Sequence, residues 1–391
     1  MEAGTLAAGH KPTLGERFSN AVNRFNEAPY VVKAGLGVFL LDLVLVVADR
    51  WPDSFGEWIL LLAIFAVTVA AMVPFEARPA AIAAVVLGNV VAVLILYHGL
   101  HDVAQRGVNG LSLGAIYALG AVGLTLVYGI LKLVNFAHGD FLTFGAYMAY
   151  LVNVTWELPL VFGIAFAILT TALLGISLEK VMWAPMRRRG AGMLQLLLIS
   201  IGLAFVIRYG IQFIWGTELR SLEVNNTDTV KFFGLSIGVT QAWVIVIIVG
   251  FVTLVATGLG LRLTMLGKQM RALSDNLDLA ETSGINTSRV ILYTWLFAAG
   301  LAGLAGVFAG AITQLQPELG FELLLPIFAA VVLGGIGNAF GALTAGIVLG
   351  VVIEWSTLFI ASGLKLAVGF IILIIVLIIR PEGIFGQART V

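Results

Sequence analysis

The sequence predicts an all-α fold: a polytopic bundle of transmembrane helices, some of them broken or re-entrant. Composition is the first observation, since 60% of the 391 residues are hydrophobic and only 11% are charged, and a soluble domain of this length cannot bury so much apolar surface. The second is the recurrence of apolar runs close to the roughly 20 residues that a bilayer-spanning helix needs. The third is a pair of short runs that adjoin polar or glycine-rich breaks, where non-helical backbone must be shielded from lipid.

The chain divides into a tail, an extension and a core. Residues 1–30 are polar and lack the apolar core and cleavage site of a signal peptide, so we expect a retained cytoplasmic tail. Residues 31–106 are predicted to be an extension with about three transmembrane helices, at 31–48, 58–74 and 79–98. The core, residues 107–391, holds apolar segments at 108–130, 136–153, 159–183, 191–215, 240–262, 290–314, 322–337, 339–361 and 363–380. Segments 136–153 and 322–337 are short and are predicted to be partial spans.

Basic residues predict the orientation of these segments. With the N-terminus in the cytoplasm, all but six of the 22 Lys and Arg residues fall on the cytoplasmic side; the six are Arg50, Arg106, Arg208, Arg220, Lys231 and Lys365. Because cytoplasmic loops carry an excess of Lys and Arg, both termini are expected to be cytoplasmic. Arg208 and Glu354, which stand inside apolar segments, are expected near the outer interface, where long charged side chains reach water.

The most informative break is Asn135-Phe136-Ala137-His138-Gly139-Asp140, which separates two apolar segments. Polar side chains at membrane depth persist only in a protected position, inside the protein or along a path through it. Asn135 and His138 are candidates to line a translocation path or to cap the broken helix. Asp140 is a candidate to cap the next helix by accepting from its free amides. The sequence leaves the path and cap interpretations open.

The second break contains Gly334, Gly335, Gly337 and Asn338. Its glycines permit unusual backbone angles and close helix contact. One interpretation is a tight turn between two short helices. The other is backbone exposed to the path, where the ends of half-helices bind the carboxylate and ammonium of a zwitterion.

Elsewhere, two features concern helix contacts. Residues 263–289 are predicted to form one or two short amphipathic helices, because Met270, Leu273 and Leu277 recur at helical spacing among polar residues.

Glycines also recur at three- and four-residue steps, at Gly300, Gly303, Gly306 and Gly310 and again at Gly346 and Gly350. Such rows are typical of close packing between helices in lipid, within one chain more often than between chains.

The sequence lacks the residues that several kinds of enzyme and metal site require. There is no cysteine, and neither a Walker A motif nor the HExxH and GxSxG patterns of hydrolases are present. We therefore expect no enzyme activity, no cofactor, no metal site and no nucleic acid partner. Energy for any active transport has to come from a partner subunit or a gradient.

Four motifs occur in the order found in a known family: Asn109–Tyr128 followed by LVNFAHGDF, the loop 263–289, GGIGNAFGA at 334–342 and RPEGIFG at 380–386. Together they resemble the LivH-type permease of branched-chain amino acid ABC importers, from about residue 107 to the end. The first hundred or so residues depart from the usual short form of that family. The resemblance implies the ABC importer permease type of fold.

The resemblance also implies partners. A LivM-type permease subunit, two cytoplasmic ATPase subunits and a periplasmic substrate-binding protein would complete an importer in the bacterial inner membrane. The loop 263–289 would be the coupling element that docks on an ATPase. On that interpretation Met270, Leu273 and Leu277 form the docking face, and Lys268, Arg271 and Asp275 are its polar residues.

Alternatives to a branched-chain amino acid permease remain at this point. Relatives of the family carry urea or short-chain amides, so the same architecture would serve another small ligand. A channel or secondary transporter that works without ATP is a further alternative, and buried charge pairs in the middle of the membrane would favour it.

Overall fold

The computed structural model describes residues 91, 94, 98–224, 229–232, 235–379 and 383. The predicted tail 1–30, most of the extension 31–106 and all of the RPEGIFG motif except Gly383 lie outside the described residues. The chain divides into two units, residues 1–103 and 104–391, and the description below concerns the second.

The fold is all-helical apart from one hairpin. The first half contains α1 (Leu100–Leu131), α2 (His138–Tyr150) with a π-helical turn at Leu151–Thr155, α3 (Leu160–Leu178) with a π-helical turn at Glu179–Trp183, α4 (Ala184–Arg188) and α5 (Met193–Trp215). After the strands β1 (Thr229–Phe232) and β2 (Leu235–Thr240), the second half contains α6 (Gln241–Leu263), α7 (Met265–Asp275), α8 (Leu277–Thr282), α9 (Thr287–Ile312), α10 (Leu319–Gly334), α11 (Ala339–Ser356), a 3₁₀ turn at Ser362–Leu364 and α12 (Lys365–Ile379).

Six helices in the described part of the chain are long and apolar enough to cross a membrane: His101–Leu131, Leu160–Arg188, Met193–Trp215, Ala242–Leu263, Thr287–Ile312 and Ala339–Ser356. The prediction of a polytopic helical membrane protein is therefore confirmed. Of the two segments predicted to be partial spans, α10 has 16 residues, which is about 24 Å of helix against a hydrocarbon core of about 30 Å. The other, α2, has 13 residues and continues directly into the π-helical turn at Leu151–Thr155.

The hairpin lies between α5 and α6. Its strands β1 and β2 are antiparallel, with Thr229 opposite Thr240 and Val230 opposite Val239. Short strands of this kind leave no periodic signal long enough to separate them from a loop.

The core is built around α1 and α9. In their most apolar windows 89% of α1 and 78% of α9 is buried, against 17% of α6. Glycines allow these helices to approach closely: a Cβ added to Gly303 would stand 2.9 Å from Thr171 Cβ on α3, and one added to Gly346 would stand 2.5 Å from Ala118 Cα on α1. Both glycine rows therefore serve packing within the chain, as predicted.

Candidate functional site

The backbone between α1 and α2 is not helical, although both helices are buried. Lys132 ends α1 with φ 52°, a left-handed conformation that residues other than glycine seldom adopt. Residues 132–137 lie outside both helices, and α2 begins at His138. The break predicted from Asn135 to Asp140 is thus the junction of a long helix and a short one.

Asn135 caps this junction. Its side-chain Oδ1 accepts from the backbone N–H of Ala137 at 3.2 Å, and its carbonyl accepts from the N–H of His138. The side chain is fully buried, at 0% exposure. Of the two interpretations, these contacts support the cap.

His138 joins the start of α2 to the middle of α1. Its Nε2 lies 2.9 Å from the carbonyl oxygen of Gly120, and the ring is 1% exposed. Gly123 leaves room for the ring, since a Cβ there would stand 3.1 Å from His138 Cε1. These contacts make His138 a packed, hydrogen-bonded link between two helices.

Asp140 has a partner that the sequence analysis did not identify. Arg208 of α5 donates from Nε to Asp140 Oδ1 at 3.0 Å and from Nη2 to Oδ2 at 3.4 Å. The guanidinium also lies over the ring of Phe321 on α10, 4.4 Å from its centroid, a favourable cation–π position. The pair thus ties α2 to α5 and α10.

Burial contradicts the expectation that Arg208 and Glu354 reach water. Arg208 is 9% exposed and Glu354 only 1% exposed, so neither reaches water in the way expected of residues at the outer interface. Glu354 instead forms an ion pair with Lys365, and Arg106 Nη1 lies 3.9 Å from its other oxygen. Each charge is buried because a partner from another segment neutralises it.

The two short helices meet at their first turns. Gly139 of α2 and Gly320 of α10 are in backbone contact, and a Cβ on Gly139 would stand 2.9 Å from the carbonyl carbon of Gly320. The N–H of Gly320 donates to Thr143 Oγ1 at 2.9 Å. Thr143 is 0% exposed. The sequence analysis missed this residue, because a threonine within an apolar helix gives no signal of its own.

The glycine-rich break forms a tight turn between α10 and α11. Gly335 and Gly337 have φ 88° and 91°, which glycine adopts without strain. Asn338 caps α11 by accepting from the N–H of Gly341 at 3.1 Å. Gly334 packs on Gly341, and Gly383 packs on Gly335, so the glycine of the C-terminal motif supports this turn. The turn interpretation accounts for all four predicted residues.

The loop after α6 forms two short helices, as predicted, but their faces differ from the expectation. Thr264 caps α7, Asn276 caps α8, and Gly284 turns the chain with φ 85°. Met270 and Leu273, expected to be a docking face, are 4% and 1% exposed and belong to the hydrophobic core of the chain. A helix lying on a bundle buries its apolar stripe against its own chain.

The other predicted residues of this loop remain accessible. Lys268, Arg271 and Asp275 are exposed, and Leu277 is half-buried. The helix is held on the bundle by polar contacts as well, since Ser274 Oγ donates to the carbonyl of Gly129 at 3.2 Å and Lys132 Nζ donates to the carbonyl of Ser274 at 3.4 Å.

A cavity of about 620 Å³ lies between α7, the end of α1 and the turn after α10. We call it the α7 cavity. Its lining includes Arg271 and Asp275 of α7, Thr125 of α1, and Gly337 and Asn338 of the turn. The structure therefore brings the second break together with α7, whereas His138 contacts α1 and Asp140 contacts α5 elsewhere. Among the described residues no group of three or more His, Cys, Asp or Glu could hold a metal ion.

Comparison with known proteins gives one consistent result. The family described as branched-chain amino acid transport system / permease component matches residues 107–378. The chain is 32% identical over 296 residues to the high-affinity branched-chain amino acid transport system permease protein LivH of Salmonella typhimurium, which covers 72% of this chain and 95% of the relative. It is 31% identical over 304 residues to BraD of Pseudomonas aeruginosa, covering 75% and 97% respectively.

A more distant relative is the LivM permease protein of Escherichia coli, 27% identical over 325 residues, which cover 76% of this chain and 75% of the relative. No solved structure matches significantly. Because the family match includes both breaks and the α7–α8 segment, the chain belongs to the family of permease components of branched-chain amino acid transport systems.

Proposed function

We propose that this chain is the LivH-type permease subunit of an ATP-driven importer for branched-chain and other aliphatic amino acids. The observation that carries the proposal is the extent of the similarity, which covers 95% of LivH and 97% of BraD. A match that spans nearly the whole relative includes the pathway-forming helices as well as the peripheral segments. The substrate class follows from the names of these relatives.

The same proposal assigns partners. The similarity to LivM supports a second permease subunit of the same family beside this chain. The chain carries no nucleotide-binding motif, so two cytoplasmic ATPase subunits would supply the energy, and a periplasmic binding protein would deliver the substrate. Lipid and the second permease would cover the exposed apolar side chains of α5 and α6, among them Phe213, Val206 and Val252.

Contact with the ATPase is assigned to the exposed side of α7 and α8. Lys268 is exposed on that side and Leu277 is partly accessible, while Met270 and Leu273 fasten α7 to the bundle. Arg271 and Asp275 line the α7 cavity instead. A force applied to the exposed residues would reach the transmembrane helices because the helix is anchored by its buried ones. Both termini, including the tail 1–30 ahead of the extension 31–106, then lie in the cytoplasm, with the chain in the bacterial inner membrane.

The test is reconstitution of the co-purified complex with its binding protein, followed by measurement of ATP hydrolysis in the presence of single ligands. Leucine, isoleucine and valine are expected to stimulate hydrolysis. If only urea or acetamide stimulates hydrolysis, the chain is still an importer permease, but the proposed substrate class is wrong.

The buried pair of Asp140 and Arg208 is the observation that favours a passive channel or secondary transporter. Co-purification separates the two functions, because a channel requires no ATPase. If no ATPase accompanies the chain, and leucine still crosses vesicles without ATP, the importer proposal is wrong.

A further inference from the structure

The α7 cavity is large enough for a small ligand. Its volume of about 620 Å³ lies within the range of about 300–1,000 Å³ that is usual for small-molecule sites. Its walls come from the end of α1, from α7 and from the turn after α10. A ligand bound there would contact three separate segments of the chain.

One wall carries a buried hydroxyl without a partner. Thr125 lines the cavity and is 1% exposed, and its Oγ1 makes no hydrogen bond within the described part of the chain. A threonine in a helix can donate to the carbonyl four residues earlier, and other threonines of this chain do so, for example Thr294 to Val290 at 2.9 Å. Thr171 on α3 is also buried with an unpartnered hydroxyl, but of the two only Thr125 lines the α7 cavity. A buried polar group left unpaired costs stability, so the Thr125 hydroxyl calls for a ligand group or a water.

The α7 wall carries one charge of each sign. Arg271 and Asp275 are four residues apart on α7, both line the cavity, and both are exposed. In the described residues neither forms an ion pair with the other or with a third residue. Lys132 adds a second positive charge at the cavity, held on the carbonyls of Gly129 and Ser274.

The rest of the lining is mixed. Ser274 and Asn338 are polar, and the apolar part includes Leu126, Ile130, Leu261, Met270 and Phe340. Paired opposite charges beside an aliphatic surface match the chemistry of a small zwitterion with an aliphatic side chain.

We propose that the α7 cavity binds an aliphatic amino acid that reaches it from the cytoplasm. Arg271 binds the carboxylate, Asp275 binds the ammonium, and Thr125 donates a hydrogen bond to the carboxylate. The proposal rests on the proposed importer function, which sets the side of the membrane and the class of amino acid. It adds a product site to the permease that is separate from the binding protein.

A bound amino acid has a defined consequence for transport. It would join α7 to α1 and to the turn after α10, and so favour the conformation in which α7 is seated on the bundle. A ligand that binds one conformation more tightly than the others shifts the population toward it. Accumulated amino acid would therefore slow further import.

The experiment uses proteoliposomes of the whole complex with ATP and unlabelled leucine in the lumen. The binding protein and labelled leucine are outside, so only complexes with their ATPases in the lumen are energised. We expect the initial uptake rate to fall as luminal leucine rises. The luminal comparison compounds are 4-methylpentanoate, which lacks the ammonium, and isoamylamine, which lacks the carboxylate; both are expected to inhibit at least tenfold more weakly.

Variants locate the effect in the cavity. Thr125→Val removes an unpartnered hydroxyl and keeps the shape, and it is expected to raise the half-inhibitory luminal concentration by about three- to tenfold. Thr125→Ser keeps the hydroxyl and should stay near the original value. Thr171→Val is the matched control, since Thr171 is equally buried, its hydroxyl also lacks a partner among the described residues, and it does not line the cavity. Each rate is normalised to the same variant without luminal leucine.

The outcomes separate the two proposals. Absence of leucine uptake in the intact complex would overturn the importer function itself. Normal uptake without luminal inhibition, equal inhibition by all three compounds, or an unchanged half-inhibitory concentration in Thr125→Val would overturn the α7 site alone.

Discussion

The ion pair between Asp140 and Arg208 is expected to contribute more to folding than any exposed pair. Its side chains are 1% and 10% exposed, so removal of one partner leaves a charge in a poorly solvated place. Breaking a buried pair from one side costs about 3–5 kcal/mol, while apolar residues of similar volume at both positions are often neutral or stabilising. We therefore expect Asp140→Leu and Arg208→Met each to lower the free energy of unfolding by about 3–5 kcal/mol, and the double variant to recover most of that loss.

Equilibrium unfolding of the purified chain in mixed detergent micelles measures these values. Lys268→Met serves as the control, because Lys268 is exposed and loss of its charge should change stability by no more than about 0.5 kcal/mol. If the two single losses simply add in the double variant, the residues do not interact and the reasoning is refuted. The same result would weaken the view that this pair holds α2 in place.

Two further predictions concern helix packing and capping. Gly306→Ala should prevent recovery of a monodisperse protein in size-exclusion chromatography, because the new Cβ would stand 2.9 Å from Leu142 Cα. The control is Gly202→Ala, whose Cβ would have nothing within 4 Å; this variant should be recovered normally, and its free energy of unfolding should rise by up to about 1 kcal/mol. Asn338→Ala should lower the free energy of unfolding by about 1 kcal/mol, since it removes the cap of α11, and no loss would mean that the cap is unimportant.

Much of the fold could be predicted because a membrane helix is recognisable from a local run of apolar residues. The short helices α2 and α10 were identified from run length and from the residues at their ends. The helices α7 and α8 were identified from spacing. The partner subunits were inferred from the family resemblance, because no local sequence pattern indicates them.

The errors have a common physical origin. In a membrane bundle the faces that contact lipid are as apolar as those that contact protein, so a pattern of apolar residues does not say which surface they meet. Met270 and Leu273 were therefore expected to contact another subunit, and they contact their own chain. Arg208 was expected to reach water, but it is buried and pairs with Asp140, 68 residues away in sequence.

The break between α1 and α2 is stabilised by hydrogen bonds that several of its backbone groups make inside the protein. Ser200 of α5 bridges the segment, since its Oγ lies 3.3 Å from the carbonyl of Val134 and accepts from the N–H of Phe136 at 3.1 Å. Asn135 satisfies the N–H groups of Ala137 and His138. Each unsatisfied group in hydrocarbon would cost several kcal/mol. The polar residues at the break are thus required by its backbone, and a role in transport for Asn135 would have to be added to that structural role.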